Sequence, residues 1–159
     1  MGKQQKGKAM SNDSDLISLY SSRILGLAAD MPHTDRLASP QATVKKRAPL
    51  CGSTVTVDLD MENGHVSAYA QDVKACALGQ AAAAVVGQAI LGTTEADIRR
   101  ARDELYAMLK SDGPVPSAPF DGLEVLLPAK DYKNRHASIL LTLDAAVAAI
   151  DDIQSHKTT

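Results

Sequence analysis

The stretch from Leu50 to Gly92 constrains this 159-residue chain more than any other, because it spells out two strands, a tight turn and a helix in one run. In Thr54-Val55-Thr56-Val57-Asp58-Leu59-Asp60 apolar residues alternate with polar ones, the period of a half-buried strand. Asn63-Gly64 predicts a two-residue hairpin turn, since both residues tolerate the positive φ it needs. In the returning strand Val66, Ala68 and Ala70 alternate with Ser67, Tyr69 and Gln71. From Ala77 to Leu91 the chain is rich in Ala, the best helix former, so a helix is expected despite Gly79 and Gly87, with Gly92 as its stop. An antiparallel hairpin returns the chain to its starting end. Cys51, before the first strand, and Cys76, between the second strand and the helix, are therefore expected close together.

A thiol at a helix N-terminus faces free backbone N–H groups and the positive end of the helix dipole, both of which favour thiolate. Thiolates bind soft metals and attack sulfur. The alternative is that both cysteines are small buried hydrophobes, the usual fate of a free Cys. No charged-then-apolar leader pattern opens the chain, so a cytoplasmic location is expected. In that reducing compartment two cysteines do not form a disulfide framework; packing, metal binding or redox chemistry remain open to them.

At this length one domain can bury a core without a structural metal. The net charge of -2 gives no sign of a nucleic-acid surface or a membrane face, and no apolar run is long enough to span a bilayer. With 3% aromatic residues, recognition of bases by stacking is not expected either.

Residues 1–14 are polar and are expected to be a disordered leader; a second Met at position 10 marks the first nine as a candidate vector-derived tag. Residues 15–159 form the single domain. A helix is expected from Asp15 to Ala29, with Leu16, Leu19, Tyr20, Ile24 and Leu27 on one face, capped by Ser14 or Asp13 and ended by Pro32. Met31 to Leu50 reads as loop or short strand, and its Lys45-Lys46-Arg47 run as a solvated approach to the first strand. Thr94, followed by Asp97, is a capping-box start for a helix that buries Ile98, Ala101, Leu105, Met108 and Leu109. After a Pro-rich loop, Asp121 to Leu127 is a short apolar helix or turn closed by Pro128. A last helix runs from about Asn134 or His136 to Ile153, with Ile139, Leu143, Ala146, Val147 and Ile150 inward.

The fold class is α+β: a small antiparallel sheet of about three strands with helices packed on one face. Its layout and motifs resemble the U-type iron–sulfur cluster scaffolds, the group of IscU, SufU and the N-terminal domain of NifU, whose fold is of the SufE/NifU-like kind. The resemblance lies in Leu19-Tyr20-Ser21, in Met31-Pro32 at the family's Asn-Pro-Arg turn, in Cys51-Gly52 before a strand and in the Asn63-Gly64 hairpin. It continues in Cys76 before a small-residue helix, in Phe120-Asp121-Gly122-Leu123 and in Arg135-His136-Ala137-Ser138-Ile139-Leu140.

The resemblance implies a non-enzymatic scaffold or carrier that takes iron and sulfur, the latter from a cysteine desulfurase, and holds iron, a labile iron–sulfur cluster or zinc. It passes that cargo to apoproteins, with a chaperone as a further partner. Cys51 matches the family's first cysteine, Cys76 the second and His136 the histidine beside the third, so these three are the expected metal ligands. Ser53 and Asp72 are candidate assisting residues, although Asp72 also reads as a cap for the following helix. Two departures stand out: Ser53 replaces the aspartate of the family's Cys-Gly-Asp motif, and Ala137 the third cysteine. The alternative expectation is therefore a degenerate paralogue that docks on a desulfurase or chaperone without carrying a cluster. A third is sulfur transfer with Cys76 as persulfide acceptor.

Overall fold

The computed structural model describes residues 20–157, so the leader, the helix positions Leu16 and Leu19, and the caps at Asp13 or Ser14 lie outside the described residues. The first described helix, α1 (Ser22–Ala29), starts under Ser21, whose hydroxyl accepts from the Ile24 N–H at 3.3 Å. Strands β1 (Ala42–Arg47), β2 (Thr54–Glu62) and β3 (His65–Lys74) form an antiparallel sheet in the order β1-β2-β3. Lys45-Lys46-Arg47 is thus not an approach to the first strand but the second half of β1, which pairs in register with β2. β1 lies at the edge of the sheet, where charged side chains discourage pairing with another chain.

Asn63 and Gly64 make the β2–β3 turn with φ of 54° and 79°, as the Asn-Gly signal requires. Next to that turn the pairing runs Glu62 with His65 and Met61 with Val66, then slips so that Asp60 pairs with Ala68 and Thr54 with Lys74. Ser67 is the extra residue of a β-bulge, and it changes which side chains face the helices. Strict alternation would place Ala68 and Ala70 on the face of Val66. With the bulge, Tyr69 and Gln71 share that face instead, opposite Leu59 and Val57. Gln71 is fully buried; its amide donates to the carbonyls of Ala83 (3.0 Å) and Pro32 (3.3 Å) and accepts from the Tyr69 hydroxyl at 2.8 Å.

Four further helical elements follow: α2 (Ala77–Ala89), α3 (Glu95–Lys110), a 3₁₀ helix (Asp121–Asp131) and α4 (Lys133–Lys157). The helix α4 lies on β1 and β2, and α2 and α3 pack against it. Its Ile139, Leu143, Ala146, Val147 and Ile150 are buried as their spacing predicts, and each larger one contributes about 1.5–3 kcal/mol of transfer free energy. Thr94 and Asp97 close the capping box on α3, and the five expected residues of that helix are buried. The 3₁₀ helix runs through Pro128 rather than stopping there. Phe120, Leu123, Leu126 and Ala129 recur every three residues, so a 3₁₀ helix buries all four on one face while Pro128 stays exposed. Among the described residues no helix is long and apolar enough to cross a membrane.

On the sheet face away from the helices, Asp58 is fully buried beneath the segment before β1. Its carboxylate accepts from Arg36 Nε (2.6 Å) and Nη2 (2.9 Å), the Leu37 N–H (3.0 Å) and the Thr43 hydroxyl (2.7 Å). The hydrogen bond from Arg36, with those from Thr43 and Leu37, holds Asp58 below the usual carboxylate range against the opposing effect of burial. A carboxylate held low stabilises the fold above its unfolded pKa and loses that contribution as pH falls through the folded value. Between roughly pH 6 and pH 2 the thermal midpoint of the wild type is therefore expected to fall more steeply than that of Asp58→Asn, which has no such group to titrate. Equal slopes in a pH series of thermal melts would contradict this.

A close approach of α2 and α4 depends on Gly79. A Cβ there would lie 2.5 Å from Ser138 Oγ and 2.9 Å from the Ala75 Cβ. Gly79→Ala is expected to cost about 1–3 kcal/mol in denaturant unfolding, the range of core overpacking, despite Ala being the better helix former.

Candidate functional site

Two pieces of backbone hold the cysteines at the end of the sheet where Thr54 pairs with Lys74. Between β1 and β2 the chain doubles back: the Gly52 N–H donates to the Ala48 carbonyl (2.9 Å) and the Ala48 N–H to the Ser53 carbonyl (2.8 Å). Gly52 makes this possible at a φ of 71°, a left-handed conformation that favours glycine. Cys51 sits exposed on the loop beside Leu50, which is 88% exposed. Cys76, half-buried, is the N-cap of α2 in extended conformation. The proximity expected from the hairpin is present. The cysteines are not both buried hydrophobes.

Between them runs a ribbon of hydroxyls. Cys51 Sγ lies 3.2 Å from Ser53 Oγ, Ser53 Oγ lies 3.1 Å from Ser138 Oγ, and Ser138 Oγ lies 3.6 Å from Cys76 Sγ. Both serines are buried. Hydroxyls can rotate to donate to either sulfur, and the Ser53 side chain, followed by its backbone N–H, lowers the Cys51 thiol from its usual range against a smaller effect of burial. Lys74 and Arg135 line the same recess of about 300 Å³, placing two cations beside the two sulfurs.

His136 is not brought to the cysteines. On α4 successive residues turn by about 100°, so His136 and Ser138 point about 200° apart while Arg135 and Ser138 share a side. The ring is buried, with Nε2 against the carbonyls of Ala129 (3.1 Å) and Lys130 (3.0 Å) and Nδ1 3.3 Å from Lys110 Nζ. Carbonyls only accept and an ammonium only donates, so these partners fix the neutral tautomer with its proton on Nε2. Burial, then the charge of Lys110, lowers its pKa, while the two carbonyls act against this. His136 closes the end of the 3₁₀ helix and faces a separate recess that Lys110, Lys130 and Lys133 also line. Asp72 is neither a helix cap nor a lining residue; it lies exposed within β3, opposite Thr56, and Cys76 occupies the cap position. Ala137 is exposed. Among the described residues, no group of three or more His, Cys, Asp or Glu side chains could share a metal ion.

A crystal structure of a nitrogen-fixing NifU-like protein (N-terminal) from Brucella abortus superposes on this chain with a TM-score of 0.87. The two are 44% identical over 89% of this chain and 98% of the other. This chain belongs to the NifU-like, U-type scaffold family. A candidate iron–sulfur cluster assembly scaffold protein for the SUF system from Fervidobacterium islandicum AW-1 shares the fold at 17% identity, with a TM-score of 0.75 over 84% of this chain and 97% of that one. So does a hypothetical protein at 16% identity and a TM-score of 0.73, over 85% and 98%. No protein-family model and no curated protein matches the chain.

In this NifU-like chain Ser138, Arg135 and Lys74 lie at the cysteine recess, and sequence reasoning passed over all three. The available signal was Ser138 itself, a polar residue followed at i+4 by Thr142 on a stripe that continues with Ala145 and Ala149, all buried. The hydroxyl ribbon has a measurable consequence. The pH at which Cys51 becomes half-reactive toward iodoacetamide is expected below the ordinary thiol value of about 8.5. Ser53→Ala should raise that point and slow alkylation of Cys51 at neutral pH by about fivefold, the worth of one ordinary hydrogen bond. An unchanged rate profile by peptide mass spectrometry would count against the ribbon.

Proposed function

We propose that this chain is an iron–sulfur scaffold or carrier whose Cys51–Cys76 recess takes iron, a labile iron–sulfur cluster or zinc as cargo and passes it to apoproteins. The observation that carries this reading is the convergence of two thiols at one open end of the fold, one of them exposed and held toward thiolate, in a NifU-like chain. Soft thiolates suit iron–sulfur clusters and zinc. Hydroxyls that donate to metal-bound sulfur tune its charge, and Ser53 and Ser138 stand where they can do so. Lys74 and Arg135 offset the negative charge of the thiolates.

Cys51 and Cys76 are the ligands in this reading. His136 is left out of the set because both ring nitrogens have partners within the fold. Ser53 assists through its hydrogen bond to Cys51; Asp72, exposed within β3, does not. The chain acts as a carrier rather than an enzyme, in the cytoplasm, receiving sulfur from a cysteine desulfurase.

A second reading is favoured by one observation, the lack of any group of three metal-binding side chains among the described residues. It is a docking module that binds a desulfurase or chaperone and carries no cluster. The two readings separate in one experiment, exposure to a preformed glutathione-ligated [2Fe–2S] complex without oxygen followed by gel filtration. A carrier retains iron, sulfide and visible absorption. Cys51→Ala and Cys76→Ala are expected to elute colourless, and Ser138→Ala to bind roughly tenfold more weakly, the usual effect of removing a partner of a metal ligand. Wild-type protein that elutes free of iron and also fails to retain zinc sinks the carrier, and desulfurase binding that survives in the double Cys variant then supports the docking module.

A further inference from the structure

The recess that holds the two sulfurs is also one where positive charge lies unpaired. Arg36, Arg99, Arg100 and Arg102 each meet a carboxylate of the fold. Lys74 and Arg135 do not: among the described residues neither side chain has a hydrogen-bonding or ion-pair partner, and no carboxylate lines their recess. A cationic recess without a counter-charge suits an anionic ligand, and a guanidinium fork suits a carboxylate. The sulfur within reach of that ligand sets this recess apart from a plain anion site. We infer that Cys51 is a modification site: it exchanges with a small disulfide that carries carboxylates, the class of oxidised glutathione, and Lys74 and Arg135 recognise those carboxylates.

Access favours Cys51 over Cys76. Cys51 is exposed, as are Leu50 and Gly52 on either side of it, so an incoming disulfide can approach Sγ from solvent. The hydroxyls of Ser53 and Ser138 occupy the inner side and leave the outer side open. Cys76 is half-buried at the start of α2, with its Sγ 3.6 Å from the Ser138 hydroxyl. The recess, at about 300 Å³, lies at the small end of the range for small-molecule sites and suits one half of oxidised glutathione. That half carries two carboxylates and one ammonium, so the whole disulfide has a net charge of about −2 at neutral pH, opposite to that of the two cations.

In the exchange the Cys51 proton goes to water and the thiolate attacks one sulfur of the disulfide. The sulfur–sulfur bond of the reagent breaks, a bond from Cys51 to one half forms, and the other half leaves as a thiolate that takes a proton from water. The disulfide is the oxidant and its departing half is the reduced product; a free thiol in excess reverses the step. While the adduct lasts, one of the two thiolates that hold cargo is blocked and the recess is closed to metal. That consequence rests on the carrier reading, whereas the modification itself does not.

The test reacts the full chain with oxidised glutathione, which is anionic, with neutral hydroxyethyl disulfide and with cationic cystamine, and follows each adduct by peptide mass spectrometry. Glutathione is expected on Cys51. In the double variant Lys74→Gln/Arg135→Gln the rate with oxidised glutathione is expected to fall roughly tenfold relative to the rate with the neutral disulfide, and the rate with cystamine to rise relative to it. The neutral reagent cancels any change in the reactivity of the sulfur itself. High salt should shrink the difference between wild type and variant. Equal effects of the double substitution on all three reagents overturn the recognition by Lys74 and Arg135. An adduct on Cys76, or an internal Cys51–Cys76 disulfide that retains no glutathione, overturns the assignment to Cys51. The glutathione adduct is expected to lose zinc on gel filtration and to retain it again after dithiothreitol has been added and removed; an adduct that keeps zinc as the free protein does overturns the closure. Unmodified protein that retains neither iron nor zinc removes the carrier reading, while the three exchange rates still decide the modification.

Discussion

The extra residue at Ser67 sets the arrangement on which the rest of the structure depends. Next to the Asn63-Gly64 turn the pairing is in simple register, and past Ser67 it has shifted by one. A one-residue shift exchanges the faces of a strand completely. Tyr69 and Gln71 therefore turn toward α2, and the Gln71 amide ties β3 to both the Ala83 carbonyl of that helix and the Pro32 carbonyl of the preceding loop. A buried amide without partners is costly, so this side chain fixes the position of both segments. The same shift sets Thr54 opposite Lys74, the pair that brings the Cys51 loop to the start of α2.

The opposite face of the sheet is held by a different device. Asp58 is buried there, and Arg36, Leu37 and Thr43 supply four hydrogen bonds to its carboxylate. Removing one partner of a buried charge costs more than the pair contributes, so the network is better understood as fixing the path of the chain before β1 than as a source of net stability. Together the two networks clamp that segment across β3 and onto the outer face of β2.

At the thiol end the polar groups are arranged differently, since their partners are sulfur and hydroxyl rather than charge. The glycine at position 79 lets α4 come close enough for Ser138 to reach Ser53 and Cys76. One small residue on α2 thus decides whether the two thiols communicate through hydroxyls. The site is open on the side of Leu50 and closed on the side of α4.

Much of the fold could be read from residues alone, because local signals are strong where one period dominates. Val55, Val57 and Leu59 alternate, Asn63-Gly64 turns, Thr94 and Asp97 cap, and Ile139 to Ile150 recur at helical spacing; each appears where the chain predicts it. Proximity of Cys51 and Cys76 followed from the hairpin for the same reason. Other features were not legible. Nothing marks Ser67 as a bulge, the charges of Lys45-Lys46-Arg47 masked an edge strand, and Pro128 obscured a three-residue period that the core enforces. His136 is adjacent in sequence to the position matched to the family's third cysteine, yet a helix turns neighbours apart, and the carbonyls of the 3₁₀ helix took its ring. The sequence by itself determined the β2–β3 hairpin, the helices with a clear period and that two thiols share one end of the sheet, since those depend on contacts within a few residues or across one hairpin. Only the tertiary structure decided which polar groups join the thiols, because Ser138 reaches Ser53 across 85 residues of chain and only the packing of α4 on the sheet sets that distance.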